Sequence, residues 1–219
     1  MPVIILTDTY LVDCYRTIKP FTQDMVKIDR GALLSENEIK ALGEYKRHLF
    51  TDSGISPRAL PGQKGALVVT CGDEHTEDGH ITEDPEVRRK MMQKRMGKLD
   101  LLRTEIEMPL FYGPEDAPVL LIGWGSSYGV LKETVDYLGK EGIKARLMHL
   151  NWLWPFPSDI VSTAMKKCQK SFVVENNFSG QLAHLIRAET GLAPHKKITK
   201  DDGRPFYSSQ IIKEVAREV

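Results

Sequence analysis

The stretch Ala117–Gly142, APVLLIGWGSSYGVLKETVDYLGKEG, predicts a strand, a tight turn and a helix in that order. Its apolar run Val119–Ile122 is short and rich in branched residues, which is typical of a strand covered on both faces. Gly123 and Gly125 predict the turn, because glycine adopts turn conformations at little steric cost. We therefore expect a strand–turn–helix unit here, whose alternation the rest of the C-terminal half repeats.

The helix predicted after this turn has a single apolar face. Leu131, Val135 and Leu138 recur at i, i+4 and i+7, which is the spacing of one helix face. Further strands are predicted at 145–150, 171–175 and 196–199. Helices lie between them, one of which is predicted to begin at Ser179. Strands that alternate with helices in this way predict an α/β fold with a doubly wound, mostly parallel sheet.

The glycine-rich turn raises a dinucleotide site as an alternative. Gly123, Gly125 and Gly129 give G-x-G-x-x-x-G, which is one residue longer than the dinucleotide fingerprint. The next predicted strand leads into Asn151 rather than into an acidic residue that would bind a ribose. Close packing of strand against helix is therefore favoured, and an unrelated nucleotide-binding α/β protein is kept as a rival hypothesis.

Composition excludes several classes of protein. Lys plus Arg and Asp plus Glu are equal at 30 each, so the net charge does not favour nucleic acid as a partner. Cys14, Cys71 and Cys168 form no C-x-x-C pair, which argues against a disulfide framework, a paired-cysteine zinc site or a complete iron–sulfur site in this chain. No signal peptide or apolar run of membrane length is recognisable, so we expect a cytoplasmic protein with no membrane partner.

Residues 1–60 predict one strand followed by a connecting arm. Pro2–Leu6 has the pattern of a buried strand, and it must complete a sheet formed elsewhere or become an edge strand of the downstream domain. The rest shows little periodicity apart from a helix near Ser35–Tyr45, where Ser35 and Glu38 have the spacing of a capping box. So long an irregular stretch is unusual inside a compact domain, so we expect the arm to lie on another domain or subunit.

A proline-stiffened loop at Thr51–Gly62, TDSGISPRALPG, contains the first candidate site residue. Arg58 lies between its two prolines, and the planar guanidinium of such an arginine can bind a carboxylate or a phosphate through two parallel hydrogen bonds. We take Arg58 as a candidate substrate-binding residue. The alternative is a surface arginine that is paired with the arm.

An acidic loop follows a strand that is predicted at Ala66–Thr70. Its six acids and histidines resemble a metal site, but His75 and His80 are five residues apart rather than three or four. The calcium-loop pattern fails as well, because Pro85 stands where its last glutamate should be. A loop of solvated acids is favoured, and no metal site is predicted.

A long basic helix is predicted over residues 85–107, with a core-facing apolar stripe. The stripe consists of Met92, Met96, Leu99, Leu102 and Ile106. Six cations crowd the first half of the helix. Among them we take Lys94, Arg95 and Lys98 as candidate contacts to an anion or an acidic partner, because clustered cations favour such contacts. The alternative is a solvated helix face.

Four motifs in order now point to one family. They are T-x-x-G-I-S-P-R-A-x-P-G at Thr51–Gly62, G-D-E-H-x-E-x-G-H-x-T-E at Gly72–Glu83, K-R-x-x-K at Lys94–Lys98 and L-x-W-L-W-P-F-P at Leu150–Pro157. Together they closely resemble the C-terminal part of the α subunit of 2-oxoacid:ferredoxin oxidoreductases, in particular the 2-oxoglutarate branch. The resemblance runs from Pro2 to the end of the chain.

The resemblance implies a subunit, or part of one, of a thiamine-diphosphate-dependent enzyme. Such an enzyme decarboxylates a 2-oxoacid, here expected to be 2-oxoglutarate, passes electrons through iron–sulfur clusters to ferredoxin and forms an acyl-coenzyme A. Residues 1–60 would be the last strand of a pyrimidine-binding domain and a crossing arm, and residues 61–219 a transketolase C-terminal-like domain.

The resemblance also implies partners and absences. A β subunit would anchor thiamine diphosphate and Mg²⁺. The rest of the α subunit would supply the pyrimidine-binding part. This chain would then contain no catalytic residue, bind no cofactor alone and be inactive alone. The main rival is a non-catalytic assembly module derived from the same family.

Overall fold

The computed structural model describes residues 4–25 and 27–219. It divides the chain into two compact units. The sheet unit consists of the chain up to Thr17 together with Ile106–Val219, and the loop unit consists of Ile18–Glu105. Sequence analysis predicts a boundary between residues 60 and 61 instead. The long basic helix lies in the loop unit because its polar side chains bond to that segment, as described below.

The sheet unit contains one five-stranded sheet with the order β1-β3-β2-β4-β5. Its strands are β1 (Leu110–Tyr112), β2 (Val119–Trp124), β3 (Ala145–Leu150), β4 (Lys170–Glu175) and β5 (Lys196–Thr199). The four strands from β2 onward are mutually parallel, and only β1 is antiparallel, to β3. The predicted doubly wound, mostly parallel α/β fold is confirmed.

The helices of this unit are α1 (Thr9–Asp13), α4 (Tyr128–Lys140), α5 (Ser158–Lys167), α6 (Gln181–Thr190) and α7 (Ser208–Ala216). Side chains alternate along β2, so that Leu121 packs in the cluster that contains residues of α4 and α7. Ile122 packs in a second cluster with residues of α5 and α6. The sheet therefore has an apolar core on each face, as a strand buried on both sides requires.

The turn after β2 depends on the absence of a side chain at Gly123. A Cβ atom there would collide with the side chain of Leu131 and lie 2.5 Å from Ser127 Oγ. Ser127 Oγ accepts a hydrogen bond from Trp124 N at 3.0 Å and donates one to Trp124 O at 2.8 Å. These contacts close the turn between β2 and α4, which agrees with the packing interpretation of the glycines.

Helix α6 begins later than predicted, at Gln181 rather than at Ser179. Gly180 has a φ of +76°, a left-handed conformation that a helix interior does not tolerate. Asn177 Oδ1 accepts hydrogen bonds from Gly180 N at 2.7 Å and Gln181 N at 3.2 Å, so the turn before the helix is held by a side chain that precedes it.

The loop unit contains two longer helices, α2 (Glu36–Leu42) and α3 (Pro85–Arg103). The predicted capping box of Ser35 and Glu38 is present, and Asp84 caps α3. No strand forms at Ala66–Thr70. Ala66 instead contributes to a small apolar cluster with Ile39, Tyr45 and Ala59.

The predicted apolar stripe of α3 is wrong in the first half of the helix. Met91 is 1% exposed, whereas Met92 is 36% exposed and Met96 51% exposed. The remaining predicted residues, Leu99, Leu102 and Ile106, are half-buried. In the first half, Lys94 and Arg95 are half-buried instead, and both find hydrogen-bond partners within the loop unit.

The predicted N-terminal strand does not form where the structure describes the chain. Ile4, Ile5 and Leu6 belong to no strand and are exposed, while Pro2 and Val3 lie outside the described residues.

Among the described residues, no helix combines the length and apolar character that crossing a bilayer requires.

Candidate functional site

The proline-stiffened loop meets the basic helix α3 at Lys94. Its half-buried ammonium donates hydrogen bonds to His48 O and to Ser56 Oγ, both at 2.5 Å. Ser56 Oγ in turn donates to Leu49 O at 2.8 Å. Gly54 has a φ of +68°, and a Cβ there would lie 3.0 Å from the carbonyl oxygen of Lys94. The segment from His48 to Ser56 therefore packs on helix α3.

The pKa of Lys94 is lowered to about 8, first by burial and then by the neighbouring cation of Lys98. Glu77 acts in the opposite direction, and Arg47 and Arg95 add to the lowering. The ammonium therefore lies in a region of net positive potential, where holding its proton costs free energy.

Glu74 neutralises part of the cationic helix. One of its carboxylate oxygens accepts hydrogen bonds from Arg95 Nη2 at 2.6 Å and from Arg88 Nη1 at 2.8 Å. The hydrogen bond from Arg95 is the largest cause that lowers the pKa of Glu74, to about 2. Its side chain is only 11% exposed, so the prediction of a loop of solvated acids is wrong for this residue. Two neighbouring cations make ionisation favourable there, despite the loss of water.

Glu77 fixes the segment before the proline-stiffened loop. Its Oε1 accepts a hydrogen bond from Phe50 N at 2.8 Å, and its carboxylate lies 3.7 Å from Lys46 Nζ. His48 N donates to the backbone oxygen of Glu77 at 2.7 Å. The acidic motif thus serves as a scaffold for residues 46–50.

Two histidines of these segments stack on each other. The ring centroids of His48 and His75 are 3.8 Å apart, with 27° between the ring planes. Burial, followed by the repulsion from His75, lowers the pKa of His48 to about 4, so its ring is neutral near pH 7. The Nε2 atom of His48 is buried, and no hydrogen-bond partner for it lies among the described residues.

Arg58 is anchored to the segment that precedes α2. Its Nη2 donates to Arg30 O at 2.8 Å. Its backbone pairs with the same segment, since Arg58 N donates to Ala32 O at 2.8 Å and Leu34 N donates to Arg58 O at 2.9 Å. The guanidinium has five N–H donors, so this anchoring leaves donors for a ligand. Its role in substrate binding stays a prediction.

The structure thus brings Lys94, Arg95 and Lys98 onto the packed side of one helix but gives them different surroundings. Lys94 bonds to the loop, Arg95 pairs with Glu74, and the Cγ atom of Lys98 would lie 3.1 Å from a Cβ at Gly54. Their contact with an anion stays a prediction. Sequence reasoning missed the pairing of Glu74 with these cations. A usable signal was present, because an acidic loop accompanies a cluster of cations that extends along two turns of helix.

The described residues were also compared with what a metal or cluster requires. Within residues 4–25 and 27–219, no three His, Cys, Asp or Glu side chains are grouped so as to hold a metal ion. The thiols of Cys71 and Cys168 donate to backbone oxygens of Asp73 and Met165 in different units. The donors that the described residues provide therefore do not fit a cysteine-ligated cluster.

In the sheet unit, a buried carboxylate organises the carboxyl end of β4. Glu175 is 1% exposed and accepts hydrogen bonds from Leu182 N at 2.7 Å, Ala183 N at 3.1 Å and Asn177 Nδ2 at 2.8 Å. It supplies acceptors to the free amides of the first turn of α6. The same loop presents Phe178, which is 84% exposed.

Comparison with known proteins gives consistent matches. Residues 117–211 match the family model described as pyruvate:ferredoxin oxidoreductase core domain II. The α subunit of 2-oxoacid:ferredoxin oxidoreductase 2 from Aeropyrum pernix is 36% identical over 99% of this chain and 34% of its own length. The α subunit of 2-oxoacid:ferredoxin oxidoreductase 1 from Sulfurisphaera tokodaii is 37% identical over 96% of this chain and 33% of its own.

A solved structure is similar in sequence and in fold. The 2-oxoglutarate:ferredoxin oxidoreductase from Magnetococcus marinus, determined with 2-oxoglutarate, coenzyme A and succinyl-CoA bound, is 37% identical with a TM-score of 0.76. The match covers 80% of this chain and 31% of that one. The chain therefore spans about a third of the length of the relatives that it matches.

Proposed function

The chain belongs to the family of 2-oxoacid:ferredoxin oxidoreductase α subunits, and we propose that it forms the C-terminal part of such a subunit in an active complex. The observation that carries the proposal is the 36% identity to an α subunit across 99% of this chain. The complex would decarboxylate a 2-oxoacid oxidatively, transfer the acyl group to coenzyme A and reduce ferredoxin.

The complete complex would use thiamine diphosphate with Mg²⁺ for decarboxylation and iron–sulfur clusters for electron transfer. The described residues group no three metal-ligating side chains, and in our proposal a β subunit and the remainder of the α subunit supply the sites of both groups. The contribution of this chain would be the sheet unit as a structural domain and the loop unit as a surface near the substrate. We expect no thiamine diphosphate binding and no turnover by the chain alone.

The proposed substrate is 2-oxoglutarate. Its support is the 37% identity to an oxidoreductase whose name specifies that acid, together with the four motifs in the sequence. A dicarboxylate carries a second carboxylate that a planar guanidinium can bind through two parallel hydrogen bonds. Arg58 would supply that guanidinium, since only one of its N–H groups is directed to Arg30 O.

Arg58→Lys tests this role, because lysine keeps the positive charge and loses the fork of donors. In the complete complex we expect KM for 2-oxoglutarate to rise more than kcat falls. The same variant should change KM for pyruvate much less, because pyruvate lacks the second carboxylate. Unchanged kinetics with 2-oxoglutarate would assign Arg58 to the anchoring of residues 30–34 alone.

The decisive experiment for the proposal is reconstitution. The chain is purified with its partner subunits under anaerobic conditions, and dye reduction that depends on both a 2-oxoacid and coenzyme A is measured. We expect activity with all subunits and none when this chain is omitted. Activity that persists without this chain would favour the assembly module instead. Absence of activity with every 2-oxoacid in a complete complex would contradict the proposal.

A further inference from the structure

The cations of α3 separate into two groups. Arg88 and Arg95 share the carboxylate of Glu74, and Arg89 lies 2.8 Å from Glu86. These arginines are therefore paired by acids of the loop unit itself. Lys94 and Lys98, one turn apart on the packed side, remain outside these pairs.

The second group is joined by Arg47, which precedes His48 in the chain. The His48 carbonyl is bonded to Lys94 Nζ at 2.5 Å, so the main chain at Arg47 is held against α3. In the described part of the chain, no carboxylate lies within 4.0 Å of a charged nitrogen of Arg47, Lys94 or Lys98. Glu77 favours the charged form of Lys94, but its carboxylate already lies 3.7 Å from Lys46 Nζ.

Two polar groups in this place have hydrogen-bonding capacity that the described residues do not use. The Lys94 ammonium has three N–H donors and uses two of them on His48 O and Ser56 Oγ. Its nearest aromatic neighbour is the Phe50 ring, whose centroid is 5.6 Å from Nζ. His48 Nε2 is buried without a partner among the described residues. A buried polar atom that stays unpaired costs about 1–3 kcal/mol, so a hydrogen-bonding ligand at this place would be stabilising.

We propose that Arg47, Lys94 and Lys98 form a binding site for an oxyanion, a carboxylate or phosphate group of a small molecule. The Lys94 ammonium is held in place by two loop acceptors, and the neighbouring cations Arg47 and Lys98 would share the ligand with it. An oxyanion accepts from all three cations and offsets their mutual repulsion. Arg95 is not part of the site, because Glu74 already neutralises it.

This site goes beyond the proposed redox function and does not depend on it. The charge run in the sequence gave no reason to include Arg47 or to exclude Arg95. Both assignments follow from the pairing pattern in the folded loop unit. The test below uses binding only, so a failure of the site would leave the reconstitution experiment unaffected.

The experiment titrates the full chain with two probes, inorganic sulfate and 2-oxoglutarate, at constant ionic strength. Sulfate represents the tetrahedral oxyanion and 2-oxoglutarate the carboxylate, and both stay fully ionised near neutral pH. Amide chemical shifts in NMR spectra locate the binding and give the affinity. We expect saturable shifts at Arg47, His48 and Lys98 with the preferred probe, and the probe with the higher affinity identifies the ligand group.

Arg47→Gln and Lys98→Gln should each weaken binding about fivefold, the factor that corresponds to loss of one partly exposed ion pair of about 1 kcal/mol. Lys166→Gln removes the same charge from an exposed position of α5 in the sheet unit and is the matched control, with unchanged affinity. Folding of each variant is confirmed by its melting temperature, and Lys98→Gln alone decides if Arg47→Gln fails to fold.

A second readout follows the Lys94 side chain directly by NMR of its Nζ resonance. Burial and neighbouring cations lower the pKa of Lys94 to about 8. A bound anion should raise that pKa, because an opposite charge favours the ammonium form. Sulfate suits this measurement because it stays fully ionised over the whole titration. Equal affinity of wild type, Lys166→Gln and Lys98→Gln would overturn the site, and so would a Lys94 titration that neither probe changes.

Discussion

Glu175 at the end of β4 allows the sharpest prediction about stability. Its carboxylate accepts three hydrogen bonds, two from amides of the first turn of α6 and one from Asn177. Hydrogen bonds to a charged group contribute about 1.5–3 kcal/mol each, and they are not additive when they share one acceptor group. We therefore expect Glu175→Ala to lower the free energy of unfolding by about 3–5 kcal/mol, since it leaves three donors without their acceptor.

Glu175→Gln separates the charge from the shape. Glutamine keeps one acceptor oxygen at nearly the same position but loses the negative charge at the N-terminus of α6. That charge is worth up to about 2 kcal/mol in a buried geometry. The expected loss for Glu175→Gln is thus about 1–2 kcal/mol, less than half of the loss for Glu175→Ala. Glu133→Ala, at an exposed position of α4, serves as the matched control and should stay within about 0.5 kcal/mol of wild type.

Urea unfolding followed by tryptophan fluorescence measures the free energy of unfolding of the sheet unit, which contains Glu175. The chain has three tryptophans, Trp124, Trp152 and Trp154, and all of them lie in the sheet unit. With a slope of about 2 kcal/mol/M, Glu175→Ala should lower the urea midpoint by about 2 M. Losses below about 1 kcal/mol for Glu175→Ala, or equal losses for the Ala and Gln variants, would refute the reasoning from buried acceptor bonds.

Three further predictions concern single contacts. Glu74→Gln should lower the free energy of unfolding by about 1 kcal/mol near pH 7 after solvent screening. Because the pKa of Glu74 is lowered from 4.5 to about 2, this contribution is complete above pH 4.5 and is lost as the pH falls toward 2. The melting temperatures of variant and wild type should therefore converge in acid. Gly123→Ala should lower stability by about 1–3 kcal/mol through overpacking in urea unfolding, whereas Gly129→Ala, where a Cβ meets open space, should be neutral or stabilising by up to about 1 kcal/mol. Lys94→Met should speed hydrogen exchange and proteolysis at residues 48–56, and Lys90→Met, at an exposed position one turn away, should leave both rates unchanged.

The sheet could be predicted from the sequence because its signals are local. The apolar run of β2, the small residues that follow it and the helical spacing of Leu131, Val135 and Leu138 each specify one conformation. The edge strand β1 was missed, since Leu110–Tyr112 has only three residues and too little pattern to distinguish it from a loop. Pairing with β3 supplies the order that its sequence does not.

The site was only partly predictable, because charge patterns do not specify partners. The run from Arg88 to Lys98 identified a cationic helix, but Met92 and Met96 suggested the wrong packed face. Hydrophobic periodicity carries no information about polar bonds such as those of Lys94. These bonds help to orient α3, which has only one fully buried apolar residue. Glu74 lies 21 residues before Arg95 in the chain, and nothing local links the two.

The small apolar cluster of the loop unit, Ile39, Tyr45, Ala59 and Ala66, has a consequence for temperature. The heat capacity of unfolding comes mainly from apolar surface that becomes exposed to water. A unit that is held more by ammonium, guanidinium and carboxylate bonds than by an oily interior should gain little heat capacity when it unfolds. Its free energy of unfolding should therefore depend only weakly on temperature. The sheet unit has two large apolar cores, so its free energy of unfolding should change more strongly between cold and warm conditions.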